Sequence, residues 1–337
     1  MSALPESAFE PPPPPPTPPT PPDEPKAPRP TYLWPFAIAF FVIGLIFLVG
    51  TVVKLIPRGW GTAVGFCFLG LLLFGLSFIR LPSVPQKEEP LSLLQKVTGI
   101  FFEPTRVFRN LREHPRWMGA FIIIAVLSAI YSLAFIQRIT PERLAEHTKT
   151  QMEAFGNLVP PEAREIQAAE VLDANKNPVR RVASVLNVFI AFFLFLGIVA
   201  ALSMLGVLVF GGRIHFWQAL AVTFWVALPV TVITRVMGLI ILYLKSPEDL
   251  HPVLNRDTTF QDNLSILFSP ADHPVLFVMA SFIGLTSFYG LWLRARGLHL
   301  GATKASSGAG WGVSITLWLL GLFLLTSVAF LAPSFFS

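Results

Sequence analysis

Arg235 is the residue whose type and position first suggest chemistry, because it is the one ionisable side chain well inside a long apolar stretch. A charge at the centre of a bilayer costs roughly 2.5 to 3.5 kcal/mol on insertion scales, so its presence there indicates a role. Its expected hydrogen-bond partners are Thr231, Thr234 and Asn187, or a lipid phosphate reached by snorkelling. Two interpretations stay open, namely structural hydrogen bonding and contact with a solute or a lipid.

Pro229 precedes Arg235 in the same apolar stretch and cannot donate a helical hydrogen bond. A proline inside a helix is a common cause of a kink, so we expect the helix to bend here. The bend could act as a hinge, or it could be a packing bend with no moving part.

A row of arginines lies just before the third apolar stretch: Arg106, Arg109, Arg112 and Arg116. The residues between them include Val107, Phe108 and Leu111, and an earlier apolar stripe begins at Leu93. This pattern predicts a segment that lies in the membrane interface, with its apolar face toward the lipid and its arginines toward anionic headgroups. The alternative is ordinary positive flanking of a span, which requires no lipid specificity.

The remaining chemistry-bearing residues form no recognisable catalytic or metal-binding motif. The six histidines are scattered over different loops, without an HExxH motif or a pair four residues apart. The single cysteine, Cys67, lies in an apolar stretch and has no partner for a disulfide. Paired membrane aspartates are also absent from the sequence. We therefore expect no enzymatic activity, no cofactor and no metal.

The elements that must position these residues follow from the composition. The 337 residues are 53% hydrophobic and 13% charged, whereas soluble domains carry about a quarter charged residues. This balance indicates that most of the chain lies in a bilayer. The formal net charge of +5 comes from basic residues in short loops beside apolar stretches, so we interpret it as a topology signal and expect no nucleic-acid binding.

Apolar stretches near the ~20 residues needed to cross a bilayer recur along the chain. Each is continuously apolar, whereas a membrane β-barrel would require alternation. The sequence therefore predicts an all-α fold, a polytopic transmembrane helix bundle of about seven spans. Within the second span, Gly61 and Gly65 form a small-residue pair of the kind that favours helix packing. The predicted spans are Tyr32–Val53, Gly61–Ile79, Trp117–Ile136, Ala183–Phe210, Phe216–Leu244, Pro274–Leu293 and Trp311–Ala332.

Two segments outside the spans have a distinct character. Residues 1–30 are rich in proline and have almost no apolar side chains to bury, which predicts polyproline II or disorder. The loop from Thr140 to Asn177 begins with a helix-start pattern and continues with a second helical stretch, Glu162 to Leu172. We expect a solvated helical hairpin that caps the bundle, with partner binding as the alternative.

Three segments resemble the Yip1-domain family in its prokaryotic form. They read IFFEPTRVFRNLREHPRWMGAF, GGRIHFWQALAVTFWVALP and SFIGLTSFYGLWLRARGLHLGATKASSGAGWGVSITLWL. The resemblance covers about residues 91–332 and implies a five-helix transmembrane domain in the cell inner membrane. The tail of residues 1–30 and a two-helix transmembrane hairpin at 31–80 are additions to that pattern.

The charges in the loops favour one orientation. Lys and Arg are slightly more numerous on the side with the tail and the loop between spans two and three. The other side includes the long loop from Thr140, and long loops contribute less to orientation. We therefore expect a cytoplasmic amino terminus and an external carboxyl terminus, which is also what the family resemblance implies.

The hypothesis we favour is a non-enzymatic membrane scaffold or adaptor of the Yip1-domain type. Its expected partners are the lipid bilayer, a soluble protein bound by the proline-rich tail and a second copy of the chain. The alternative is a small-solute or lipid transporter or channel, with Arg235 and the span containing Pro229 beside the pathway. Coupled transporters usually gather several polar groups near the middle of the membrane, and this sequence offers nearly one.

The predicted topology can be tested with reporter fusions. A reporter placed near Pro85 should report the cytoplasm, because the surrounding loop is rich in arginine, and one fused after Ser337 should report the exterior. Reporter activity and protease accessibility in whole cells would measure both positions. Finding the two reporters on the same side would contradict an odd number of spans.

Overall fold

The computed structural model describes residues 29–30, 33–53, 59–81, 88–154, 160–250 and 259–331. The predicted disorder of the proline-rich tail therefore lies outside the described residues, apart from its last two. Arg29–Pro30 forms a short strand, β1, which pairs antiparallel with β2 (Arg80–Leu81). The pairing holds the segment that precedes the first helix against the segment that follows the second helix.

Within the described ranges the chain is almost entirely helical, as the continuously apolar stretches predict. Two 3-10 turns, Pro247–Asp249 and Leu264–Leu267, add to the α-helices. The α-helices are α1 (Trp34–Val52), α2 (Trp60–Ser77), α3 (Leu93–Phe102), α4 (Pro104–Glu113), α5 (Met118–Ile139), α6 (Pro141–Ala154), α7 (Pro161–Lys176), α8 (Pro178–Val209), α9 (Phe216–Leu244), α10 (Pro274–Ser281), α11 (Leu285–Gly301) and α12 (Ser307–Leu331).

Six of these helices are long and apolar enough to cross a membrane, namely α1, α2, α5, α8, α9 and α12. The predicted all-α polytopic bundle is therefore confirmed. The predicted sixth span differs in detail, because it is not one helix. It consists of α10 and α11, separated by a break at residues 282–284.

The break in the sixth span has a physical cause in the segment that precedes α10. The Asp262 carboxylate accepts a hydrogen bond of 2.5 Å from the backbone N–H of Thr286, in the first turn of α11. Asn263 forms an isolated bridge with Gly284, and a Cβ on Gly284 would lie 2.6 Å from that of Asn263. The first N–H groups of a helix have no acceptor within the helix and need a partner elsewhere. The chain thus supplies its own cap, and glycine permits the close approach.

One end of the bundle gathers α3, α4 and the turns before α9 and α12, and we call it the α4 end. The Gln218 side chain in the first turn of α9 donates to the carbonyl of Arg112 at 2.6 Å. The turn residue Arg213 pairs with Lys304 in an isolated bridge. Phe36 in the first turn of α1 contacts Trp217 of α9, with ring centroids 5.1 Å apart. The chain therefore begins α1 at the α4 end.

The opposite end carries the α6–α7 hairpin, and we call it the α6 end. Arg143 of α6 donates to the carbonyl of Leu250, which follows α9, at 3.3 Å. The last turns of α12 reach the same end, where Ala329 is buried against Phe277 of α10. The described chain thus enters the bundle at one end and leaves at the other. The orientation of these ends in a membrane remains a prediction.

An aromatic cluster lies where the start of α5 meets α8 and α9. Trp117 stacks on Phe224 with ring centroids 5.4 Å apart, and Phe193 stacks on the same ring at 6.1 Å. Phe121 meets Phe224 edge-on at 5.4 Å. Such aromatic pairs contribute about 0.5 to 1.5 kcal/mol each beyond the burial of their area. This cluster fixes the start of α5 against α9.

Glycines determine how closely α1 and α2 pack, but they are not the pair that the sequence suggested. A Cβ on Gly70 would lie 2.8 Å from the backbone nitrogen of Phe41, and one on Gly44 would lie 2.5 Å from Cys67 Sγ. A Cβ on Gly61 would meet nothing within 4 Å, and one on Gly65 would meet Leu194 of α8 at 3.2 Å. The contact between α1 and α2 therefore depends on Gly44 and Gly70.

The tight crossing of α1 and α2 predicts opposite results for two alanine substitutions. Gly70→Ala should destabilise the protein by about 1 to 3 kcal/mol, because its Cβ would collide with the backbone of α1. Gly61→Ala should be neutral or slightly stabilising, since open space surrounds it and alanine favours a helix. Unfolding in detergent would measure both. Equal effects of the two substitutions would contradict the described packing.

Candidate functional site

Arg235 lies half-buried on α9 and contacts an aromatic ring of α5. The carbon of its guanidinium is 4.8 Å from the centroid of the Tyr131 ring. A cation at this distance from a ring contributes about 0.5 to 2 kcal/mol, toward the upper value when water is excluded. The arginine that the sequence singled out therefore joins α9 to α5.

Tyr131 extends this contact to a third part of the chain. Its hydroxyl forms a buried hydrogen bond of 2.8 Å with the hydroxyl of Thr259, in which either oxygen can donate. The ring packs so closely on α9 that a Cβ on Gly238 would lie 3.0 Å from it. We call Arg235, Tyr131, Gly238 and Thr259 the Arg235 cluster. It joins α5, α9 and the segment that leads into the broken sixth span.

The residues that the sequence suggested as partners of Arg235 form hydrogen bonds with other groups. The Thr234 hydroxyl donates to the carbonyls of its own helix, at 2.9 Å to Val230 and 3.2 Å to Thr231. Asn187 accepts a hydrogen bond of 3.2 Å from the buried Thr62 hydroxyl, which joins α8 to α2. Sequence reasoning missed Tyr131, although a tyrosine within an apolar span signals a hydroxyl that needs a partner.

Pro229 is buried in α9, and the helix is continuous across it from Phe216 to Leu244. The missing N–H leaves the carbonyl of Trp225 without its usual helical donor. The Trp225 side chain is fully buried and donates its indole N–H to the carbonyl of Arg116 at 3.0 Å. This well-packed setting supports the packing role of Pro229 over the hinge.

Of the four arginines before α5, Arg106, Arg109 and Arg112 lie on α4 and Arg116 lies in the connection to α5, and the apolar face of α4 is turned to the protein. Val107, Phe108 and Leu111 are fully buried, and a Cβ on Gly297 of α11 would lie 2.9 Å from the Phe108 ring. This differs from the expected arrangement, in which the same face met lipid. The cause is the small-residue surface of α11, which leaves room for the Phe108 ring.

The opposite face of α4 and the connection that follows it carry the predicted lipid-contacting arginines. Arg106, Arg109 and Arg116 are exposed, and Arg112 is partly exposed. Arg106 forms an exposed ion pair of 3.4 Å with Glu103, and such pairs contribute little to stability. The exposed apolar residues of this region lie on α3 instead, with Leu94 74% and Phe102 84% accessible. Contact of these residues with lipid remains a prediction.

Buried polar side chains hold α4 in a fixed position. Asn110 donates to the carbonyl of Glu89 at 2.9 Å, and the Glu113 carboxylate accepts from the backbone N–H of Glu88 at 2.8 Å. Each of these two bonds ties α4 to the segment before α3. The exposed arginines therefore stand on a rigid platform at the α4 end.

The predicted helical hairpin at the other end is present as α6 and α7. Lys176 and Glu142 form an ion pair of 2.7 Å across its two helices, and this hydrogen bond holds the pKa of the Glu142 carboxyl below its usual value. Arg143 fastens the hairpin to the bundle through the carbonyls of Pro247 and Leu250. The predicted second helical stretch, Glu162 to Leu172, lies within α7.

No group of three or more His, Cys, Asp or Glu side chains in the described ranges is placed to hold a metal ion. A family model described as Yip1 domain matches residues 98–328. This match confirms the resemblance, and α1 and α2 precede the matched range as the predicted additional pair. No curated protein and no solved structure matches the chain significantly.

The hydrogen bond between Tyr131 and Thr259 predicts that these two residues, far apart in sequence, contribute to stability together. Tyr131→Phe should destabilise the protein by about 1 kcal/mol, because the ring stays over Gly238 while the bond to Thr259 is lost. A double-mutant cycle with Thr259→Val, measured by unfolding in detergent, should give a coupling energy of similar size. Tyr243→Phe is the control, since Tyr243 is 58% exposed. A coupling energy near zero would contradict the described contact.

Proposed function

We propose, from the premise that the chain belongs to the Yip1 domain family, that this integral membrane protein is a non-enzymatic scaffold or adaptor. Its helices would organise partners or lipids, and its proline-rich tail would recruit a soluble protein. We place it in the cell inner membrane, with the amino terminus in the cytoplasm and the carboxyl terminus outside.

The engagement of Arg235 is the observation that supports this proposal most directly. A transported solute requires a polar group that it can reach, and Arg235 was the candidate for that role. Its guanidinium instead lies over the Tyr131 ring, whose hydroxyl is bonded to Thr259. The contact of the charge with Tyr131 joins α9 to α5, and the Tyr131 hydroxyl extends the contact to Thr259, which supports a structural role for Arg235.

The two ends of the bundle provide surfaces suited to partners. At the α4 end, buried polar contacts hold the exposed arginines in place. At the α6 end, the polar hairpin is fastened by Arg143. Rigid surfaces bind with a lower cost in conformational entropy than flexible ones. Both ends could therefore hold a soluble partner.

One observation favours the transporter as a second candidate. Broken membrane helices with polar groups at their ends are typical of secondary transporters, where a half-helix start faces an anionic substrate. In this chain the corresponding start, at α11, is already occupied by the Asp262 carboxylate, which accepts from Thr286. The break is therefore capped by the chain itself, which supports a structural role.

Substitutions of Arg235 separate the scaffold from the transporter. Arg235→Leu should destabilise the protein by about 1 to 2 kcal/mol, because it removes the cation from the Tyr131 ring, and Arg235→Lys should restore part of this stability. Arg235→Gln should fall between Lys and Leu. Recovery of partners from native membranes by affinity purification, identified by mass spectrometry, should follow stability in all three variants.

The same variants, measured for solute flux in reconstituted vesicles, test the transporter. A solute flux that Arg235→Gln abolishes at unchanged stability would contradict the scaffold and favour the transporter. A version that lacks residues 1–28, and so keeps the β1 strand at Arg29–Pro30, is the control for the tail. It should retain its stability in detergent and lose only the partners that bind the proline-rich segment.

A further inference from the structure

A cavity of about 360 Å³ lies at the α4 end, between α3 and the start of α5. This volume is at the lower end of the range for small-ligand sites. It has two basic side chains and an apolar rim, and no acidic residue is among the side chains that line it. The lining residues used below are Lys96, Arg116, Leu93, Met118 and Trp225.

Lys96 is the unusual residue of this cavity. It is only 2% exposed, and its Nζ makes no hydrogen bond within the part of the chain that the structure describes. A buried ammonium without a partner is costly and is rare in folded proteins. Burial, and secondarily the charge of Arg116, lower the pKa of Lys96 to about 8. When the amine is protonated, it has no carboxylate beside it among the residues that line the cavity.

Arg116 supplies the second positive charge and is held at the cavity by its backbone. Its carbonyl accepts the indole N–H of Trp225 at 3.0 Å, which fixes the residue against α9. The nearby carboxylate of Glu113 is already engaged, since it accepts from the backbone of Glu88 and pairs with Arg112. Two cations without a carboxylate between them form a site for an anion with several acceptor oxygens.

We propose that this cavity binds the phosphate group of an anion, and that a phospholipid headgroup supplies it. The lipid is favoured by the rim, where Leu93 is 51% and Met118 58% exposed, so acyl chains could lie against apolar side chains beside the charged cavity. Inorganic phosphate shares the headgroup chemistry but makes no use of this rim. The site goes beyond the scaffold role and does not depend on it.

Binding can be measured with the full-length protein in a neutral detergent. The probes are short-chain phosphatidylglycerol, short-chain phosphatidylcholine and inorganic phosphate, each followed by thermal shift and by native mass spectrometry. Wild-type protein should bind phosphatidylglycerol at least tenfold more tightly than phosphatidylcholine. Lys96→Met should weaken phosphatidylglycerol binding at least tenfold, while without lipid it should be at least as stable as wild type, because the methionine keeps the packing volume and removes the unpartnered buried ammonium. Lys304→Met is the matched control, since it removes one exposed positive charge from the same end.

The outcomes are distinguishable. Equal binding of phosphatidylglycerol by Lys96→Met and wild type would overturn the proposal, as would equal losses in Lys96→Met and Lys304→Met. Inorganic phosphate binding as tightly as the lipid, and lost in Lys96→Met, would support the phosphate site and overturn its assignment to a lipid. If Lys96→Met fails to fold, Arg116→Gln tests the same site from an exposed position, and unchanged phosphatidylglycerol binding in that variant would overturn the proposal.

Discussion

The hydrocarbon core of a membrane contains almost no water, so a polar group placed there must find its partner within the chain. This constraint accounts for two of the contacts described above. Asp262 caps a helix start that a soluble protein could leave to solvent. Tyr131 covers the charge of Arg235 and shares its own hydroxyl with Thr259. Each of these contacts joins segments distant in sequence, so the need for polar partners also fixes how the helices pack.

The helical bundle could be predicted from the sequence because its signal is local. A continuous apolar stretch specifies a membrane helix without knowledge of its neighbours, and the fifth span was predicted with the same bounds as α9, Phe216–Leu244. The break in the sixth span could not be predicted in this way. The residues at the break are apolar or small, and the cap comes from Asp262, which the sequence places in a loop.

The candidate site was predicted only in part, for a related reason. Arg235 could be recognised, because a charge in an apolar stretch is conspicuous on its own. Its partner could not, since contact with Tyr131 depends on how α5 and α9 cross. Lys96 gave no signal, because a lysine beside the apolar stripe that begins at Leu93 is ordinary in an amphipathic helix at a membrane interface. Only its burial in the folded chain distinguishes it from the exposed basic residues nearby.

The pairing of β1 with β2 fixes the point at which the proline-rich segment joins the membrane domain. That point lies at the same end of the bundle as the arginines of α4. A protein bound by the segment would therefore be held within reach of those arginines, and the length of the tether would set its effective concentration there. Under such tethering, two contacts that are each too weak to capture a protein from solution can together retain it. Under the proposed scaffold role, the short sheet would make the proline-rich segment and the basic surface two halves of one bivalent receptor.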